Sequence, residues 1–131
     1  MAMTQGNRER RGALRVRWRA PLRYRHVEDG SPVGALMDGH LADMSSSGAL
    51  IATAEYLRVG STIALLVVND DPPLDLKTLA VVVRRAESSE SSEHCAGVEF
   101  RGLPARRRAD LAAFILLQAS RLGQLQHHTD V

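Results

Sequence analysis

Residues 16–25 read Val-Arg-Trp-Arg-Ala-Pro-Leu-Arg-Tyr-Arg, apolar and basic in turn apart from the Ala20-Pro21 break. Successive side chains of an extended chain point to opposite faces, so this order predicts a strand with a buried face and an arginine face in water. Proline lacks the N–H that a sheet ladder needs, and Pro21 marks an edge or a bend. Outward from this run, residues 28–32, with Gly30, carry turn chemistry. Residues 34–44, holding Leu36, Asp38 and His40, read as a second strand. Ser45-Ser46-Ser47-Gly48 is a turn, followed by the short apolar run 49–52. Residues 61–68 form a β-rich segment closed by Asn69-Asp70-Asp71-Pro72-Pro73. Residues 76–85 contain Ala80-Val81-Val82-Val83, a buried strand, and a Ser/Glu loop at 87–93 leads to a last strand at 95–100. Six short strands at this spacing predict a mainly β fold, a closed antiparallel sheet or barrel.

After Pro104 the period changes. Residues 105–122 hold no glycine or proline, and Leu111, Phe114, Ile115, Gln118 and Leu122 recur at helical spacing. Proline is favoured at an early helix position, where its missing N–H would have had no partner, and Gly123 is a stop signal. The expected organisation is a flexible arginine-rich arm at 1–14, one barrel-plus-helix domain at 15–122 and a disordered tail at 123–131. The apolar stripe of the helix is read as a lid for the barrel, with a dimer interface as the alternative.

A length of 131 residues with 44% hydrophobic composition fits one globular core and is too apolar for a disordered chain. No apolar run approaches the ~20 residues of a membrane helix. The polar N-terminus lacks the apolar stretch of a secretory signal. The single cysteine, Cys95, excludes an internal disulfide and fits a cytoplasmic location. His26, His40, His94, His127 and His128 lack paired metal spacing, and no phosphate-binding loop, nucleophile elbow or zinc-protease motif occurs. The chain is therefore expected to be no enzyme and to hold no metal or cofactor.

Net charge is only +2, but its placement is uneven. Residues 1–25 hold eight arginines against the one acid Glu9, a net of +7, which leaves −5 for the rest. Lys77 is the only lysine. GC-rich coding accounts for a lysine shortage but not for arginines gathered near the start. The arginine fork pairs bidentately with phosphate or a guanine edge and stacks on flat rings, so the bias points to an anionic or flat ligand.

Two motifs carry the candidate site. Asp43-Met44-Ser45-Ser46-Ser47-Gly48 places a carboxylate at a strand end, a hydroxyl two residues on, and a glycine at the bend. Asp43 can accept from the N1–H and N2–H₂ donors of guanine, Ser45 can donate to a phosphate or base, and Gly48 allows positive φ or close approach of a ligand. Alone, the stretch also reads as an ordinary turn, since Asp and Ser bond their own backbone in turns. Arginines four apart occur in three registers, Arg11/Arg15, Arg15/Arg19 and Arg19/Arg23. The latter two fall on or beside the outer face of the alternating strand, whereas Arg11 and Arg15 precede it and can fold back onto the sheet.

Together, Arg11-x-x-x-Arg15 followed 28 residues later by Asp43-x-Ser45-x-x-Gly48 resembles the PilZ domain family, whose ligand is the bacterial second messenger cyclic di-GMP. The likeness covers residues 9–121, including Gly97-Val98-Glu99-Phe100 and the helix after Pro104. It implies a six-stranded antiparallel PilZ-type barrel with a C-terminal α-helix and no catalysis. It also implies that Arg11 and Arg15 clamp guanine and phosphate while Asp43 and Ser45 hold a base. Arg10 would add a contact at the position this family associates with ligand stoichiometry. The arm would order on binding, and the receptor, a monomer or weak dimer, would signal to a protein partner without membrane insertion. Two alternatives stand beside this: a basic nucleic-acid-binding barrel, and a degenerate PilZ interaction module that binds no nucleotide. The +7 segment favours the former. Its five scattered aromatics, Trp18, Tyr24, Tyr56, Phe100 and Phe114, are too few for base-stacking platforms and make nucleic acid an unlikely partner.

Overall fold

A computed structural model of the chain describes residues 13–87 and 92–125. Its elements are β1 (Val16–Glu28), β2 (Ser31–Met44), β3 (Gly48–Thr53), β4 (Thr62–Asn69), β5 (Leu74–Ala86), β6 (His94–Arg101) and α1 (Ala105–Arg121). All six strands pair antiparallel and close into a barrel in the order β1-β2-β3-β6-β5-β4. The expected fold class is the one observed.

The alternation that predicted β1 fills the barrel. Val16, Ala20, Leu22 and Tyr24 are buried, while Arg17, Arg19 and Arg23 face water. Pro21 lies one residue before β1 acquires its second neighbour, at Leu22 opposite Val67 of β4, so the missing N–H falls where the strand is still partly an edge. At the far end, Asp29 (φ 52°) and Gly30 (φ 80°) join Glu28 to Ser31. Two consecutive left-handed residues make a type I′ turn, whose twist matches that of the strands it joins.

α1 covers one opening of the barrel with Leu111, Phe114, Ile115, Gln118 and Ala119, and Phe114 packs against Trp18 at 5.7 Å between ring centroids. Pro104 is the N-cap itself, without a side-chain cap bond. The helix ends on Gly123 at φ 70°, with Gly123 N–H bonding Ser120 O and Gln124 N–H bonding Ala119 O. That is a Schellman ending, which glycine completes without steric cost. Both domain edges differ from the sequence expectation. Gln124 accepts from Arg17 N–H (2.8 Å) and donates to Arg17 O (2.6 Å), and Leu125 packs on the core, so the chain stays docked beyond Gly123. Leu14, assigned to the arm, also packs against the core. Residues 1–12 and 126–131, the rest of the expected arm and tail, lie outside the described residues. Among the described residues, no helix is long and apolar enough to cross a membrane.

Candidate functional site

β2 reaches the bend with an irregularity. Leu41 and Met44 are both fully buried although three residues apart, because the pairing with β3 slips between Leu41 and Asp43. An extra residue in a strand shifts the facing of those after it. In strict alternation Asp43 would follow Leu41 inward. The bulge turns the carboxylate outward instead and returns Met44 to the core.

The outward carboxylate meets Arg15. Arg15 Nη2 donates to Asp43 Oδ1 at 2.7 Å, with the side chains 37% and 19% exposed. Residues of the two motifs, 28 positions apart, thus touch directly. The rival arginines go elsewhere: Arg19 Nη1 lies 3.0 Å from His40 Nε2, and Arg23 Nε bonds Asp38 Oδ1 at 3.3 Å. Arg10 and Arg11 lie outside the described residues.

Ser45 is 0% exposed. Its N–H bonds Gly48 O at 2.8 Å, and its Oγ accepts from Ser47 N–H at 3.2 Å. The hydroxyl is engaged in shaping the bend. Gly48 has a packing role in the bend. Its φ is not positive, but a Cβ there would run into Val98 O of β6, with Val98 C at 3.3 Å and Glu99 Cα at 3.4 Å. The bare residue lets β3 lie close against β6. Phe100 N–H ties the bend down further through Ser47 O at 2.9 Å. The result is a rigid floor under an outward Arg–Asp pair.

Sequence reasoning missed two features. His40 Nδ1 lies 3.4 Å from Glu93 Oε2 while its other nitrogen faces Arg19, joining β1, β2 and the loop before β6. At the far end of β3 from Gly48, buried Tyr24 donates to Glu55 Oε1 at 2.6 Å, and His26 Nε2 lies 2.7 Å from Glu55 Oε2. Burial, then the hydrogen bond to Glu55, pushes the Tyr24 hydroxyl up to about 12. Burial opposes the charge on Glu55, but the hydrogen bonds from Tyr24 and His26 prevail and hold that carboxyl below its ordinary value. No sequence motif announces this cluster, because Glu55 is an isolated acid after a strand. The described residues hold no group of three or more side chains suited to a metal ion.

The sequence model of the PilZ domain matches residues 9–117. No curated protein sequence matches the chain. In three dimensions it is similar to the PilZ domain of YcgR from Escherichia coli, solved with c-di-GMP, at a TM-score of 0.66 and 14% identity, over 93% of this chain and 99% of that one. It is similar to the Bacillus subtilis inhibitor of motility (MotI/DgrA) at a TM-score of 0.66 and 16% identity, over 86% of this chain and 52% of that one. It is also similar to K. pneumonia MrkH in its apo state, at a TM-score of 0.59 and 12% identity, over 82% of this chain and 50% of that one. The chain spans about half the length of these last two proteins. At such identities the likeness is one of fold.

Proposed function

The chain belongs to the PilZ domain family, and on that premise we propose that it is a cytoplasmic receptor for cyclic di-GMP, a binding module and not an enzyme, that passes the signal to a protein partner. The observation that carries this reading is the contact between Arg15 and Asp43 on the outer barrel face above the Ser45–Gly48 bend. Guanine satisfies both members of the pair. Its O6 and N7 accept from the arginine fork, and its N1–H and N2–H₂ donate to the carboxylate. In the free protein the two groups neutralise each other, at a strength typical of exposed pairs, roughly 0.2–1 kcal/mol. A bidentate guanine contact is worth about 1–3 kcal/mol, so exchanging the internal pair for the ligand is favourable.

In this reading Ser45 and Gly48 act through the shape of the bend. Arg10 and Arg11 reach the second face of the ligand as the N-terminal arm orders over it, a switch driven by differential affinity for two states. The PilZ domain of YcgR solved with c-di-GMP supports the choice of ligand.

Calorimetric titration of the purified chain with cyclic di-GMP tests the proposal. Saturable binding is expected, with Arg15→Ala weakening it by about 1–3 kcal/mol and Arg17→Ala serving as the control for bulk charge. Slowed amide exchange in residues 8–14 on binding is the expected sign of arm ordering. A folded chain that takes up no ligand at high micromolar concentration would leave the degenerate-module reading. Affinity that collapses steeply with salt would point to a polyanion instead.

A further inference from the structure

On the other side of the barrel, β5 outruns its neighbour. β4 pairs with β5 from Leu74 onward, but β6 joins it only from Leu79, opposite Arg101. After Arg101 the chain leaves the sheet at Gly102 (φ 76°) and turns through Leu103 and Pro104 into α1. Residues 74–78 therefore form a sheet edge open on one side. A cleft of about 590 Å³ runs along that edge, lined by Asp75, Lys77, Thr78, Leu79, Arg101 and the start of α1 as far as Arg107.

Three observations bear on what fits there. First, the edge has no strand beside it, and for a ladder to form the Arg107 guanidinium has to release the Asp75 carbonyl that it now holds. Arg107 Nη2 donates to Asp75 O at 2.9 Å, so the Asp75 carbonyl points into the cleft. The alternation of a strand turns the Lys77 backbone the same way, and Lys77 makes no hydrogen bond across to β6. Second, the cleft is cationic. Lys77, Arg101 and Arg107 line it beside one acid, Asp75, and Arg101 also lies 3.4 Å from Glu99 Oε1. Arg106 and Arg108 extend the patch, and the first turn of α1 holds no acid. Lys77, Arg106 and Arg108 have exposed side chains that make no ion pair among the described residues. Third, Leu79 is exposed within this charged setting.

We propose that this cleft is a docking site for an extended acidic segment of a partner protein, which adds as a short strand to the β5 edge at residues 74–78 and sets its carboxylates against Lys77, Arg101 and Arg107. Main-chain pairing to an open edge supplies affinity in such complexes, and alternate side chains supply selectivity. An alternating segment sets its acids on the outer face beside Lys77 and turns its apolar residues to the opposite face, the one on which Leu76 is buried. The site stands apart from the Arg15–Asp43 surface, so it goes beyond the receptor reading and does not depend on it.

The probe is a fluorescently labelled octapeptide of alternating glutamate and valine, titrated with the full chain and followed by anisotropy, with and without cyclic di-GMP. Saturable binding is expected in both conditions, and the lysine–valine counterpart should not bind. Lys77→Glu combined with Arg101→Glu should weaken binding about tenfold, the scale of two exposed ion pairs. Arg58→Glu, a charge change elsewhere on the surface, should leave binding unchanged. A peptide N-methylated at alternate residues keeps its charge but cannot form the ladder, and it should bind at least about tenfold more weakly. Failure of the first peptide to bind overturns the proposal. Equal losses in Arg58→Glu and the cleft variant overturn it in favour of bulk charge, and undiminished binding of the N-methylated peptide overturns the strand addition. Tighter binding of a single-stranded oligonucleotide through Lys77 and Arg101 would reassign the cleft to nucleic acid.

Discussion

Replacing Gly48 with alanine separates the two roles a glycine can have in this bend. The added methyl would press on Val98 O, closer than the 3.0 Å that Cβ atoms keep from their neighbours, with Val98 C and Glu99 Cα immediately behind. These are backbone atoms of β6 and cannot rotate away. Relief requires β3 and β6 to separate locally by on the order of 1 Å, given ordinary C···O contacts near 3.3 Å, at the Gly48–Glu99 step of their ladder. Overpacking of this kind costs about 1–3 kcal/mol, and a rigid neighbour places it in the upper half of that range. At about 3–5 °C per kcal/mol for a chain of this length, the midpoint of thermal unfolding should fall by roughly 6–15 °C. Gly97→Ala is the matched control. There the nearest atoms, from 2.9 Å, belong to the Arg84 side chain, which can swing aside, so the loss should stay below about 1 kcal/mol. The assay is a calorimetric or circular-dichroism melt of the three proteins. A Gly48→Ala chain that melts with the wild type refutes the packing argument and returns this glycine to the ligand.

Other consequences are open to direct measurement. The raised Tyr24 hydroxyl favours the protonated folded state, so its stability contribution is intact below pH 10 and is lost as pH climbs from 10 to about 12. Two pKa units correspond to about 3 kcal/mol, and alkaline urea melts of Tyr24→Phe should lack this loss. Glu55 has the opposite sign: its lowered value stabilises the fold above the ordinary 4.5 and ceases to do so as pH falls through the folded value. Glu55→Gln should flatten stability against pH in that acid range, and an unchanged slope would assign the effect to other carboxylates. Gln124→Ala removes both bonds to Arg17 and should cost about 0.5–1.5 kcal/mol in denaturant melts, with faster amide exchange at the end of α1.

The parts of this fold that were legible in the sequence are those set by neighbouring residues. The period-two pattern of residues 16–25, the helical spacing after Pro104 and the Gly123 stop each depend on side chains a few positions apart, and β1, α1 and its end follow them closely. The Arg15–Asp43 contact spans 28 residues. It became visible only because two weak motifs occur together, and neither local pattern specifies it. What stayed hidden depends on chain brought in from afar. The reason for Gly48 is a carbonyl on β6, 50 residues onward. The burial of Ser45 depends on how the bend folds onto its own carbonyl. The Tyr24–Glu55–His26 cluster needs β1 and the segment after β3 to converge. The open edge of β5 exists only because β6 ends at Arg101.

The bulge in β2 connects the legible and the hidden parts. Strict alternation from Leu41 would bury Asp43 and expose Met44, placing an ionised carboxylate in the barrel at a cost of several kcal/mol. The alternative that leaves the core filled is one extra residue between Leu41 and Asp43, and this is the irregularity observed. The same slip sets the carboxylate on the outer face within reach of Arg15. Packing inside and the placement of the Asp43 carboxylate outside are therefore coupled at a single backbone step. A change that removed the bulge would withdraw Asp43 from the surface and Met44 from the core together.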